Sequence, residues 1–137
     1  MSKITGGCYC GDLRYEVEGE TMTKLQCHCR ECQHITGGGP NFTIVIVGAD
    51  FNYVSGTPAQ FTRDDIENPV TREFCGRCGS PILSRVPGLP GGVLIKAGSM
   101  DKPEEFGAPD MAIFMDDKYD FHIVAEDLPQ FPKAPPM

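Results

Sequence analysis

Seven cysteines fall into three groups in this 137-residue chain, and their spacing is its most chemically specific feature. FCGRCG sets Cys75 and Cys78 three apart, with Gly79 directly after. A C-x-x-C turn of this kind aims both sulfurs at one ion, and the glycine accepts the positive φ that such a turn often needs. GGCYCG supplies Cys8 and Cys10, which on a strand would point to the same face. The two pairs together offer four thiolates, the ligand set of a closed, tetrahedral structural zinc site. Ordinary buried free cysteines are the plain alternative, but isolated core cysteines do not gather beside glycines at this spacing. A thioredoxin-like redox role for Cys75 and Cys78 needs a βαβ setting that is missing.

The segment CHCRECQHITGG (27–38) holds Cys27, Cys29 and Cys32. Catalytic zinc sites keep three protein ligands and one exchangeable position. Three thiolates donate much charge to the metal, so it acidifies water less than a three-histidine site and suits a soft incoming thiolate. The substrate expected from this donor set carries sulfur. His28 and His34 compete for the fourth position. His28 lies between two ligands and, in an extended segment, points away from them. His34 would have to turn back tightly after Cys32, while the glycines begin only at Gly37. It reads more simply as a surface or substrate-facing residue, and as the nearest candidate general base. Gly37 and Gly38, followed by Gly39, either punctuate the chain or bring backbone N–H groups close to a ligand carboxylate. His122 in YDFHIV reads as a packed strand residue, and Asp64-Asp65 and Asp116-Asp117 as solvated turns.

Positioning these groups calls for short strands and many turns. DLRYEVEG (12–19) alternates at period two through Leu13, Tyr15 and Val17, the mark of a half-buried strand. NFTIVIVGADF (41–51) is β-branched and reads as a more buried strand. A turn at Gly56-Thr57-Pro58 separates two short strands, and SPILSRV (80–86) and GGVLIKAGSM (91–100) flank the loop PGLPGG. MAIFMDD (111–117) is a further strand, residues 29–36 one helical turn, and LPQFPKAPPM (128–137) an extended surface tail. The expectation is a single, mostly β domain over 1–137. A net charge of −7 argues against a nucleic-acid or anionic-membrane surface. No apolar run reaches the ~18 residues of a membrane helix, and the N-terminus lacks the apolar stretch of a signal peptide. A cytoplasmic address is expected, where cysteines serve metal binding or catalysis rather than disulfides. Oligomeric state is not legible.

Taken in order, GGCYCG (6–11), CHCRECQHITG (27–37), FCGRCGS (74–80) and KAGSMDKP (96–103) resemble the motifs of the glutathione-dependent formaldehyde-activating enzyme family, also called the centromere-protein-V family. The resemblance spans nearly the whole chain. It implies a small zinc-binding domain of several coiled β-sheets, tent-like in outline. It further implies two zinc ions: a structural one on Cys8, Cys10, Cys75 and Cys78, and a catalytic one on Cys27, Cys29 and Cys32. The reaction implied is that of a carbon–sulfur lyase joining glutathione and formaldehyde as S-hydroxymethylglutathione. A small thiol and a small aldehyde would then be the partners. A non-catalytic thiol or aldehyde carrier, or a protein-interaction module, is the alternative. One departure stands out. Many members carry P-x-x-H and then a tryptophan near the C-terminus, whereas this chain has Pro109-Asp110-Met111-Ala112 and no tryptophan. Tyr119 or Phe121 would take the aromatic position.

Overall fold

The computed structural model describes residues 3–135. In chain order its elements are β1 (Lys3–Gly7), β2 (Arg14–Cys27), α1 (Arg30–Thr36), β3 (Asn41–Ser55), β4 (Ala59–Thr62), β5 (Thr71–Phe74), β6 (Pro81–Arg85), β7 (Val93–Lys96) and β8 (Met111–Ile113). Short 3-10 turns follow β7 and β8. All eight strands join one hydrogen-bonded network in the order β1-β2-β3-β7-β6-β5-β4. β1 and β8 divide one edge of β2 between them: β1 runs antiparallel against its first half, β8 parallel against its last three residues. Register shifts between Glu18 and Glu20 and between Thr21 and Thr23 bend the long β2–β3 ribbon.

The bent sheet buries a different cluster on each face. Period-two alternation sends Ile44 and Ile46 of β3 into one core, with Tyr15, Val17, Ile82, Val93 and Ile95. Val45 points the opposite way, into a smaller core with Leu25, Cys27, Cys32 and Ile113. The fold is therefore mostly β, with α1 as the only α-helix among the described residues.

Several elements differ from the expectations in instructive ways. The strand expected at 12–19 runs on to Cys27, and the one at 41–51 to Ser55. The turn at Gly56 does not close a hairpin, because β4 pairs with β5 rather than with β3. Gly56 has φ 79°, and a Cβ there would meet Asp12 O at 2.3 Å, so the chain leaves β3 pressed against the loop before β2. The expected 91–100 strand ends at Lys96 and the expected 111–117 strand at Ile113, where Phe114 adopts a left-handed conformation. β1 and β5 were not foreseen. The tail is extended and docked: Phe131 N donates to Ala112 O at 2.9 Å, and Phe131 packs on the smaller core. Pro136 and Met137 of that expected tail lie outside the described residues. Among the described residues, no helix is long and apolar enough to cross a membrane.

Candidate metal centres and the adjoining cavity

The sulfurs of Cys8, Cys10, Cys75 and Cys78 all lie within 4.8 Å of one another. Cys8 and Cys10 are 3.6 Å apart, and Cys10 and Cys75 3.7 Å. Tetrahedral Zn–S bonds of about 2.3 Å require S···S edges of about 3.8 Å, so this donor set fits zinc. The two pairs come from loops that meet beside the larger core. β1 ends at Gly7, so Cys8 and Cys10 sit on a turn, not on a strand as expected. The turn closes through Gly11 N to Cys8 O at 3.2 Å, with Gly11 at φ 89°. In the Cys75 turn, Gly79 has φ 80° and donates to Cys75 O at 2.8 Å, the conformation its sequence position called for. Backbone N–H groups of Arg77 and Cys78 reach Cys75 Sγ at 3.4 Å, and Leu13 N reaches Cys8 Sγ at 3.2 Å. Such donors favour thiolate over thiol. The Ser80 hydroxyl, 3.2 Å from Cys78 Sγ, is the main cause holding the Cys78 thiol down at about 5.

The second cluster is built at the junction of β2 and α1. β2 delivers Cys27, and Cys29 caps the helix, its sulfur accepting from Cys32 N at 3.3 Å. Cys32 then lies one turn on, which brings all three sulfurs within 4.8 Å of one another. These donors too fit a zinc ion with one position left for a further ligand. Cys27 and Cys32 are buried and Cys29 half-buried. Hydrogen bonds with Cys27 and Cys29 pull the Cys32 thiol down to about 2 against its burial, and the Asn41 amide, 3.5 Å from its sulfur, assists. Cys27 is pushed far upward by sharing protons with the other two sulfurs and by burial. A cation bound here would displace the protons that the three sulfurs share.

These sulfurs line a cavity of about 280 Å³ with Asn41, Ser84, Arg72 and Lys96. Lys96, the last residue of β7, was not singled out in the sequence. It faces the cavity because Ile95 before it faces the larger core, and it is only 5% exposed. Burial pushes its ammonium down to about 8, with the charge of Cys32 opposing and that of Arg72 assisting. A lysine ending a hydrophobic strand carries little signal by itself. Only strand alternation, read together with the position of Cys27, would have marked it.

The histidines and glycines have settled partners. His34 is exposed on α1 and is not among the grouped ligands. It lines a separate cavity of about 250 Å³ that also touches Arg72 and Lys96. His28 points away from the cysteines and is fully buried; His28 Nδ1 and His122 Nδ1 are 3.0 Å apart. Gln26 Nε2 lies 3.1 Å from His28 Nε2, and Gly38 O lies 2.7 Å from His122 Nε2. With the Gln26 amide donating, the distances let His28 Nδ1 donate to His122 Nδ1 and His122 Nε2 donate to Gly38 O. His122 is buried as expected, but in a turn rather than a strand. Gly37 and Gly38 were read either as punctuation or as presenting N–H groups to a ligand carboxylate. Both N–H groups instead donate to Gln33 O, closing the C-terminus of α1, with Gly37 at φ 81° and Gly38 at φ 125°. Pro109 and Asp110 lead into β8, where Met111 and Ala112 pair with Leu25 and Gln26, and Ile113 with Cys27. Tyr119 and Phe121 stack 5.9 Å apart, largely exposed, and both precede His122 in the chain.

Two comparisons bear on this arrangement. The family model described as glutathione-dependent formaldehyde-activating enzyme matches residues 3–117. That span takes in all seven cysteines and β1 to β8. The crystal structure of a Rhodobacter sphaeroides protein, a structural-genomics target, is similar with a TM-score of 0.58. It is 18% identical, and the match covers 77% of this chain and 96% of that one. At that identity the likeness is one of fold.

Proposed function

The chain belongs to the glutathione-dependent formaldehyde-activating enzyme family, and from that premise we propose that it is a zinc-dependent carbon–sulfur lyase acting on a small thiol and a small aldehyde. Glutathione and formaldehyde are the reference pair. The observation that carries the reading is three sulfurs within 4.8 Å of one another on the wall of a cavity of about 280 Å³. Four cysteines elsewhere supply a complete structural set, which leaves this one short of a ligand and open to solvent-borne molecules. Bound by Cys27, Cys29 and Cys32, zinc would supply Lewis acidity and one exchangeable position that lowers the pKa of an arriving thiol.

The chain's own residues then act on geometry and solvent. Cys27 is held by β2, and Cys29 and Cys32 by α1, so the three thiolates keep fixed positions. Leu25, Leu94 and Ile113 give the cavity apolar walls that exclude water from the reacting atoms. In the forward direction the thiol sulfur bonds to the aldehyde carbon, the carbonyl π bond breaks, and the thiol proton ends on the new hydroxyl. The product is a hemithioacetal, and the reverse step regenerates both partners. His34, exposed on α1 beside a neighbouring cavity, is the nearest candidate general base.

X-ray absorption on the zinc-loaded protein tests the reading, with turnover followed in parallel. Adding glutathione should bring a further sulfur at about 2.3 Å, and formaldehyde should then be consumed catalytically. An unchanged sulfur count would defeat it. Coordination without turnover would leave a thiol carrier.

A further inference from the structure

We propose that Lys96, Arg72 and Ser84 form a carboxylate-binding subsite in the wall of the three-cysteine cavity, so that one of the two substrates carries a carboxylate. The inference rests on the thiol–aldehyde reading above and specifies its substrate class.

The argument begins with hydrogen-bond counting. An ammonium has three N–H donors, and at 5% exposure solvent satisfies little of that capacity. Among the described residues Lys96 Nζ donates only to Ser84 Oγ, at 3.0 Å. It makes no hydrogen bond to Cys27, Cys29 or Cys32. Asn41 does reach Cys32, at 3.5 Å, so such a bond is sterically open to a neighbouring donor. A lysine that served only to neutralise the thiolates would be expected to donate to them.

Arg72 strengthens the point. Its Nη1 approaches the same Ser84 oxygen at 3.4 Å, and its side chain is 13% exposed. Two cations therefore converge on one hydroxyl that is itself 2% exposed. Like charges brought together out of water are costly unless an anion joins them. Glu31, which also lines this cavity, meets Arg72 Nη2 at 2.8 Å, but its side chain is half exposed and makes no hydrogen bond to Lys96 or to the Ser84 hydroxyl. The Ser84 hydroxyl accepts from both cations, and its own proton has no acceptor among the described residues. Lysine, arginine and hydroxyl donors in one partly dry wall match the several acceptor positions of a carboxylate.

Size limits the substrate that bears it. A cavity of about 280 Å³ lies at the small end of ligand sites. The sulfurs and both cations share it, so the reacting atom and the carboxylate lie only a few bonds apart. The glycine N–H groups at 37 and 38 do not compete for that anion, since the helix end already holds them.

Calorimetry on the zinc-loaded protein tests this with three probes: mercaptoacetate, 2-mercaptoethanol and glyoxylate. The two thiols differ chiefly in the carboxylate. The variants are Lys96→Met, which keeps the length of the apolar stem, and Arg72→Gln, which lies nearer the surface and remains informative should the first fail to fold. A tenfold or greater preference for mercaptoacetate that disappears in the variants places the carboxylate on the thiol. Glyoxylate binding without thiol that weakens about tenfold in the variants places it on the carbonyl partner. Equal thiol affinities with no glyoxylate binding overturn the proposal. So does an equal loss for both thiols in the variants, which is what simple charge balance of the cluster would produce. If neither thiol adds a sulfur to the zinc while glyoxylate still binds through Lys96, the thiol reading fails and the subsite stands.

Discussion

The two cysteine clusters use the same ligand atom and differ in almost everything around it. Cys8, Cys10, Cys75 and Cys78 come from two loops far apart in sequence that meet beside the larger core, and backbone N–H groups point at the sulfurs of Cys8 and Cys75. Closing that site ties the start of the chain to its middle. Cys27, Cys29 and Cys32 come from one six-residue stretch, and the site ties nothing distant together. It borders a cavity instead, with a buried ammonium in the same wall. Under the proposed function, what the ligand loops connect and what faces the remaining position would decide whether a thiolate-bound zinc holds the fold or serves chemistry.

The largest effect should come from breaking the first cluster. Cys75→Ser removes a ligand from a site whose binding free energy is folding free energy, on the order of 10 kcal/mol for structural zinc. That is comparable to the whole stability of a domain this size. Circular dichroism should show no cooperative melt. A variant melting like the parent would reverse the roles assigned to the two sites.

Next comes the open cluster. Cys29→Ser should leave a folded protein that holds one zinc ion instead of two and no longer binds thiol. Mild chelation of the parent should do the same, releasing one ion while the melt persists. Metal analysis by mass spectrometry decides it, and simultaneous release of both ions would erase the distinction.

A smaller loss is expected at the support behind the open cluster. His122→Ala leaves a buried His28 ring nitrogen and Gly38 O without partners, which should cost about 2 kcal/mol. Denaturant unfolding measures it. His122→Ala should change metal content little, because neither ring faces the sulfurs.

The smallest effect belongs to the rim of the closed site. Arg14 forks onto Asp101, with Nη1 to Oδ1 at 2.9 Å, and Thr5 adds a third hydrogen bond. Arg14 first and Thr5 second hold the Asp101 carboxyl down at about 2. A carboxyl lowered in the folded state contributes stability above its ordinary value near 4, and that contribution is lost as pH falls toward 2. Asp101→Asn should flatten this acid limb. The pair is exposed on the surface, so the difference stays under about 1 kcal/mol. An acid limb identical to the parent's would remove the clamp from the account.

Cysteine grouping, the mostly β character and the helical turn at 29–36 were legible because each is local. Ligand spacing, β-branched runs and a turn glycine act over a few residues. β1 was hidden because KITGG offers a single large apolar residue, and it becomes a strand only when β2 pairs with it. β4 and β5 find each other across the turn at 63–70, a pairing that local pattern did not specify. The glycines after α1 could be read as punctuation or as donors to a ligand, and the helix end claims the N–H groups of Gly37 and Gly38. His28 and His122 lie 94 residues apart and meet only because the 119–122 turn folds back over the end of β2. Lys96 is the sharpest case. Its sequence context is an ordinary strand end, and its importance comes from facing the same side of the sheet as Cys27. The chain by itself determined which atoms can bind metal, since that depends on residue type and short spacing. Tertiary structure decided what surrounds those atoms, because burial, partners and charge at a site are set by residues far apart along the chain.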